Sequence, residues 1–186
     1  MARAKGTVIA GLVKAIQEHR ERVEPLLPAN PHHYFDTRIV LASWYPLEDY
    51  LTLLRFVVKL VPNPPVDFYE QMGRASAREQ MGGIYSRLKE DTSRKAALTL
   101  LATMYDTGEM KMVERSPGRA VTDWVGFALP CRELCANFTG YQAERMKLQG
   151  LDDAKVRHTR CRAEGASVCC WEMTWKSSRT EPARER

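Results

Sequence analysis

The sequence predicts an α+β fold, in which a helical N-terminal two thirds packs on an antiparallel sheet built from two hairpins that flank a helix. Three observations predict it. Apolar residues recur at three-to-four spacing as far as Met104. Alternation replaces that period in two stretches beyond Asp106, each broken by a turn signal. Between those stretches one helical pattern returns, from Pro130 to Leu148.

Taken in order, Gly6 to Ala10 reads as a short β-like stretch. An amphipathic helix follows through Leu12, Ile16 and Val23, and Pro25, Pro28 and Pro31 end it. Asp36 to Ser43 suits either a short strand or the lead-in to a helix. Tyr45-Pro46-Leu47-Glu48-Asp49 starts a helix, with proline near its first position and acids in the first turn. That helix runs to about Val61, with Leu51, Leu54, Val57, Val58 and Val61 inward. After Pro62, Pro64 and Pro65, a second long helix is expected from Val66 to about Glu90, burying Phe68, Tyr69, Met72, Met81, Ile84 and Leu88. Its Gly73, Gly82 and Gly83 mark close packing or a kink, because glycine weakens a helix interior. Asp91-Thr92-Ser93 caps a third helix from Arg94 to about Met104.

Asp106-Thr107-Gly108 turns the chain into a hairpin of Glu109 to Glu114 and Ala120 to Phe127, joined through Ser116-Pro117-Gly118. The helix from Pro130 carries Cys131, Leu134, Cys135 and Phe138 on one stripe, and Gly150 ends it. The last hairpin is Lys155 to Cys161 and Val168 to Trp175. Alternation along its second strand sends Cys169, Trp171, Met173 and Trp175 to the core and Cys170 away from it. Residues 1–176 are expected to form one domain, since 186 residues at 44% hydrophobic can bury one substantial core. The polar tail 177–186 is expected to be disordered.

Composition excludes several classes. No apolar run approaches the roughly 20 residues that a membrane span needs, and the N-terminus lacks the apolar core and cleavage site of a signal peptide, which argues for a cytoplasmic protein. Net charge is +5, yet the 28 basic and 23 acidic residues are interleaved, so the stripe expected of a nucleic-acid binder is missing. No phosphate loop, zinc-protease helix or nucleophile elbow occurs, and the adjacent acids Glu48-Asp49, Glu90-Asp91 and Asp152-Asp153 suit caps and turns. The chain is therefore not expected to be an enzyme. Asn137-Phe138-Thr139 falls within a helix, and His32-His33 stands in a proline-rich loop where solvation is the ordinary role.

All five cysteines follow residue 130, a clustering that favours metal or thiol chemistry over structural disulfides in the cytosol. Structural zinc takes four sulfur or nitrogen donors. Cys161 and Cys169 stand at the two ends of a hairpin turn, so their sulfurs can converge. His158 can join them only if the strand bulges or ends nearby, because alternation otherwise opposes it to Cys161. Cys135 or Cys131 would supply the fourth donor from the preceding helix. The competing reading is that these cysteines fill gaps in the core.

The stretch His158-x2-Cys161-x3-Gly165-x3-Cys169-x-Trp171, after a helix bearing Cys135, resembles the C-terminal motif of the 4-vinyl reductase superfamily. That superfamily includes sensor domains of transcription activators that respond to aromatic compounds and, more distantly, trafficking subunits of the TRAPP complex. The resemblance covers roughly residues 105–175 and implies zinc held by Cys135, His158, Cys161 and Cys169. Phenol-sensing members have glutamate where this chain has His158, and histidine is a competent zinc donor. The N-terminal part resembles a myxobacterial paralogous family of unknown function around Trp44-Tyr45-Pro46-Leu47 and Met72-Gly73-Arg74.

Two functional expectations follow. One is a sensory or regulatory domain that binds a small apolar ligand in a pocket lined by Trp124, Phe127, Phe138 and Tyr141 and signals through another protein, with a homodimer as the expected assembly. The other is a pocketless interaction or adaptor subunit, in which the same aromatics simply fill the core.

Overall fold

Ala4 and Tyr105 form a backbone bridge across the molecule, joining the N-terminal strand to the start of the C-terminal half. The structure is a computed structural model, and it describes residues 1–83, 86 and 103–176. Strand β1 (Arg3–Lys5) pairs antiparallel with β2 (Trp44–Pro46). The Arg3 amide and guanidinium both bond the carboxylate of Asp106. Helix α1 (Gly6–Gln17) begins directly after β1.

Gly6 to Ala10, expected as β-like, is therefore the opening of α1. Gly6 lies so close to the loop before β2 that a Cβ there would sit 2.2 Å from the Val40 carbonyl oxygen. The β-branched residues behind it are held helical because the helix buries Ile9 completely. The expected single helix through Val23 breaks at Glu18 and His19 and resumes as the short α2 (Arg20–Val23). Asp36 to Ser43 forms neither strand nor helix.

Helix α3 (Leu47–Val57) buries Leu51, Leu54 and Val57. It passes into one 3-10 turn, which rotates Val61 out of the apolar stripe and leaves it 37% exposed. Helix α4 (Phe68–Gly82) follows. The expected continuation to Glu90, with Ile84 and Leu88, lies outside the described residues. So does nearly all of the helix expected from Arg94, although Met104 at its end is buried.

Strands β3 (Glu109–Ser116) and β4 (Arg119–Val125) form the first hairpin, and helix α5 (Arg132–Leu148) follows with Cys131 as its N-cap residue. The second hairpin is β5 (Asp152–Arg160) and β6 (Cys169–Lys176). The two hairpins make one antiparallel sheet in the order β3-β4-β6-β5. One core runs continuously from Ala4 and α1 through α3 to Trp124, Phe138 and Trp171. Cys170 points to the opposite sheet face from Cys169 as alternation requires, yet it is only 4% exposed, because Arg160 interacts with it while reaching toward Asp123. Tail residues 177–186 lie outside the described residues.

The crossing of α4 and α5 is set by two glycines. A Cβ on Gly73 would meet the Asn137 carbonyl oxygen at 1.9 Å, and one on Gly140 would meet the Glu70 carbonyl oxygen at 1.9 Å. Two backbones can approach this closely only where neither carries a side chain. Gly73 is thus a close-packing residue, whereas Gly82 and Gly83 end α4.

A cysteine and histidine cluster and an apolar cavity

Helix α5 carries Cys135 one turn after its N-cap and presents it to the mouth of the β5–β6 hairpin. At that mouth β5 changes register between His158 and Arg160, an irregularity at Thr159 that turns His158 and Cys161 toward the same side. Cys161 then opens a 3-10 turn (Arg162–Glu164), and its carbonyl accepts from the amides of Glu164 at 3.1 Å and Ala166 at 3.0 Å. Gly165 completes the turn at φ 92°, a left-handed conformation that glycine adopts without strain. The chain returns into β6 with Cys169.

The ligating atoms of Cys135, His158, Cys161 and Cys169 all lie within 4.8 Å of one another. Cys131 is outside this group; it is buried nearer Tyr50 and Tyr105, and burial pushes its thiol up to about 11. The Cys135 and Cys169 sulfurs are 3.6 Å apart. Either thiol can donate to the other. The Cys135 thiol, His158 and the Arg162 amide at 3.3 Å hold the Cys169 thiol below the ordinary range, while the same contact with Cys169 pushes Cys135 up. His158 stacks on Trp171 with ring centroids 4.5 Å apart, and its Nε2 is sealed from solvent with no hydrogen-bond partner. Trp171 is itself fixed, donating from Nε1 to Thr139 Oγ1 at 2.9 Å, and Thr139 donates to the Cys135 carbonyl at 2.8 Å.

A cavity of about 610 Å³ lies between α1, α4 and α5, with walls from Leu12, Phe68, Met72, Tyr105, Phe138 and Tyr141. Phe138 and Tyr141 are two of the four aromatics that sequence reasoning grouped as a pocket. Trp124 and Phe127 do not line it. They pack on each other with centroids 4.1 Å apart and on Tyr105, inside the filled core. The cavity's polar groups are mostly engaged: Tyr141 donates to Gln80 Oε1 at 3.2 Å, Gln80 donates to the Thr7 carbonyl at 3.3 Å, and Tyr105 donates to the Tyr50 hydroxyl at 3.3 Å. The α1 and α4 walls escaped sequence reasoning because Gly11, Ala75 and Ser76 carry no signal of their own.

No family model and no curated protein matches this chain. Solved structures share its fold. An H-NOX domain studied for heme distortion is 14% identical, with a TM-score of 0.64 over 97% of this chain and all of that one. An oxygen-binding H-NOX domain related to soluble guanylate cyclases, in its oxygen complex, is 12% identical over 98% of both chains with a TM-score of 0.62. A mutant H-NOX protein from K. algicida in the Fe(II) unliganded state is 9% identical over 94% of this chain and 97% of that one, with a TM-score of 0.64. At such identities the likeness is one of fold. None of the described helices is long and apolar enough to cross a membrane.

Proposed function

We propose that this chain is a non-enzymatic regulatory domain that takes a small apolar ligand between α1, α4 and α5, holds a zinc ion at the cysteine and histidine cluster, and acts on another protein. The cavity carries the reading: about 610 Å³, walled mainly by apolar and aromatic side chains, falls in the range of small-molecule sites. Its presence favours a ligand-binding domain over a pocketless adaptor.

The heme of the H-NOX neighbours does not fit this cavity. Protein heme takes an axial histidine, cysteine, methionine or tyrosine. The sequence has no histidine or cysteine between His33 and Cys131. Burial pushes Tyr50 up to about 12 and Tyr105 well above the ordinary tyrosine range, so both phenols are held protonated at neutral pH. Among the described residues that line the cavity, Tyr141, whose hydroxyl donates to Gln80, and the thioethers of Met72 and Met104 are what remain, and no lysine or arginine is there to meet the heme carboxylates. Exposed Glu79 is the one charged side chain among the described lining residues, and an uncharged ligand suits the apolar remainder.

Zinc fits the cluster. A tetrahedron with zinc–sulfur bonds of about 2.3 Å has sulfur–sulfur edges of about 3.8 Å, close to the 3.6 Å between Cys135 and Cys169. The sealed, partnerless His158 Nε2 is the kind of atom that a metal ion among the three sulfurs would satisfy. Such an ion would join α5 to both strands of the hairpin, and α5 supplies Phe138 and Tyr141 to the cavity. A ligand that moves α5 would thereby move the sheet, the surface offered to a protein partner or a second copy.

The test uses N-phenyl-1-naphthylamine, an uncharged probe that fluoresces when buried, on the native chain and on Gly11→Phe. Gly11 lines the cavity, and a Cβ there would have nothing within 4 Å, so the phenyl group can fill the space without displacing the fold. Saturable binding that Gly11→Phe weakens at least about tenfold supports the reading. Absence of saturable binding, or equal binding by the variant, contradicts it.

A further inference from the structure

A second, smaller cleft lies where the C-terminal half of α5 crosses the sheet, lined by Met110, Met112, Thr122, Met173 and Trp175 around Arg145. Arg145 is only 6% exposed. Its Nε donates to Gln142 Oε1 at 2.6 Å and its Nη1 to Gln149 Oε1 at 2.9 Å. Among the described residues no carboxylate pairs with it, and nothing bonds Nη2. The adjacent Glu144 is committed elsewhere, to Arg78 at 3.2 Å.

From this arrangement we infer that the cleft is a binding site for a small organic carboxylate, received by the guanidinium of Arg145. A buried cation without a counterion is costly, and arginine does not escape the cost by losing its proton at neutral pH. Desolvation lowers Arg145 to about 10, and it stays charged. The two glutamine oxygens are neutral; they fix the plane of the guanidinium and leave its charge uncompensated. An unengaged Nη2 beside a held fork offers the donors that carboxylates take in pairs. Arg115 also lines the cleft. Methionine and tryptophan walls and a volume of about 90 Å³ favour a short apolar acid over a hydrated inorganic ion. This site is separate from the cavity between α1, α4 and α5 and does not depend on the function proposed for it.

The experiment is an NMR titration of the full chain with butyrate and with butyramide, its uncharged counterpart, following the Trp175 indole resonance. Butyrate is expected to shift it saturably and to bind at least about tenfold more tightly than the amide, as a charge-assisted bidentate contact requires. Arg145→Met should remove that preference while its melting temperature stays level or rises, because an apolar side chain relieves the buried charge. If Arg145→Met does not fold, Arg145→Lys serves, with the charge kept, the fork lost and butyrate binding weakened. Equal binding of acid and amide, or butyrate affinity unchanged by the loss of the fork, overturns the inference.

Discussion

Thr139 joins the helix and sheet sides of the cluster through one hydroxyl, which accepts from Trp171 and donates to the Cys135 carbonyl in the buried interior. Thr139→Val keeps the shape and leaves the Trp171 Nε1 donor without a partner, so a loss of about 1–3 kcal/mol is expected by chemical denaturation. Cys161→Ser is expected to abolish stoichiometric zinc, read by elemental analysis of protein purified without added metal. His158→Glu should retain zinc, because carboxylate oxygen is also a zinc donor, whereas His158→Ala should lose it; a His158→Ala variant that keeps one zinc per chain would count against His158 as a ligand. Much of the cluster was legible in the sequence, since two cysteines at the ends of a hairpin turn converge wherever the hairpin forms. The side that His158 takes was not, because alternation alone opposes it to Cys161 and only the irregularity at Thr159 brings the two together. Nor was Arg145 legible: an arginine late in a helix ordinarily belongs to the solvated face.

At the scale of elements, the α4–α5 crossing is the most sensitive contact. Gly140→Ala would drive a methyl group into the Glu70 carbonyl, which belongs to a helix backbone and cannot rotate away. A destabilisation of about 3 kcal/mol or more is expected from such overpacking, visible as a fall in melting temperature. Gly11→Phe, by contrast, should not destabilise, since it replaces glycine in a helix interior facing open space. Both hairpins were readable from alternation and their turn residues, because a sheet with one face buried writes its pattern into the chain. The opening of α1 was misread for a physical reason. Thr7, Val8 and Ile9 favour strand locally, whereas burial of Ile9 and the approach of the Val40 backbone to Gly6 decide the outcome, and neither is local in sequence.

Across the whole molecule, the α+β architecture carries one continuous core in which Tyr50 and Tyr105 are buried. Desolvation raises both phenols, Tyr50 to about 12. A raised folded value stabilises the fold fully below the ordinary tyrosine value of about 10, and that contribution is lost as pH climbs from there through the folded values. Melting temperature is therefore expected to hold to about pH 9.5 and to fall above about pH 10, with a shallower fall in Tyr50→Phe; a flat profile to pH 11 would contradict this. What the sequence left unread at this scale is the cavity, because its walls come from α1, α4 and α5, which are far apart in the chain. The most direct test of the proposed ligand-binding, zinc-holding domain is native mass spectrometry of the intact chain, as purified and after titration with N-phenyl-1-naphthylamine. One zinc per chain, one probe molecule at saturation and no heme adduct are predicted. A metal-free chain that takes up no probe, or one that carries heme, would contradict the account.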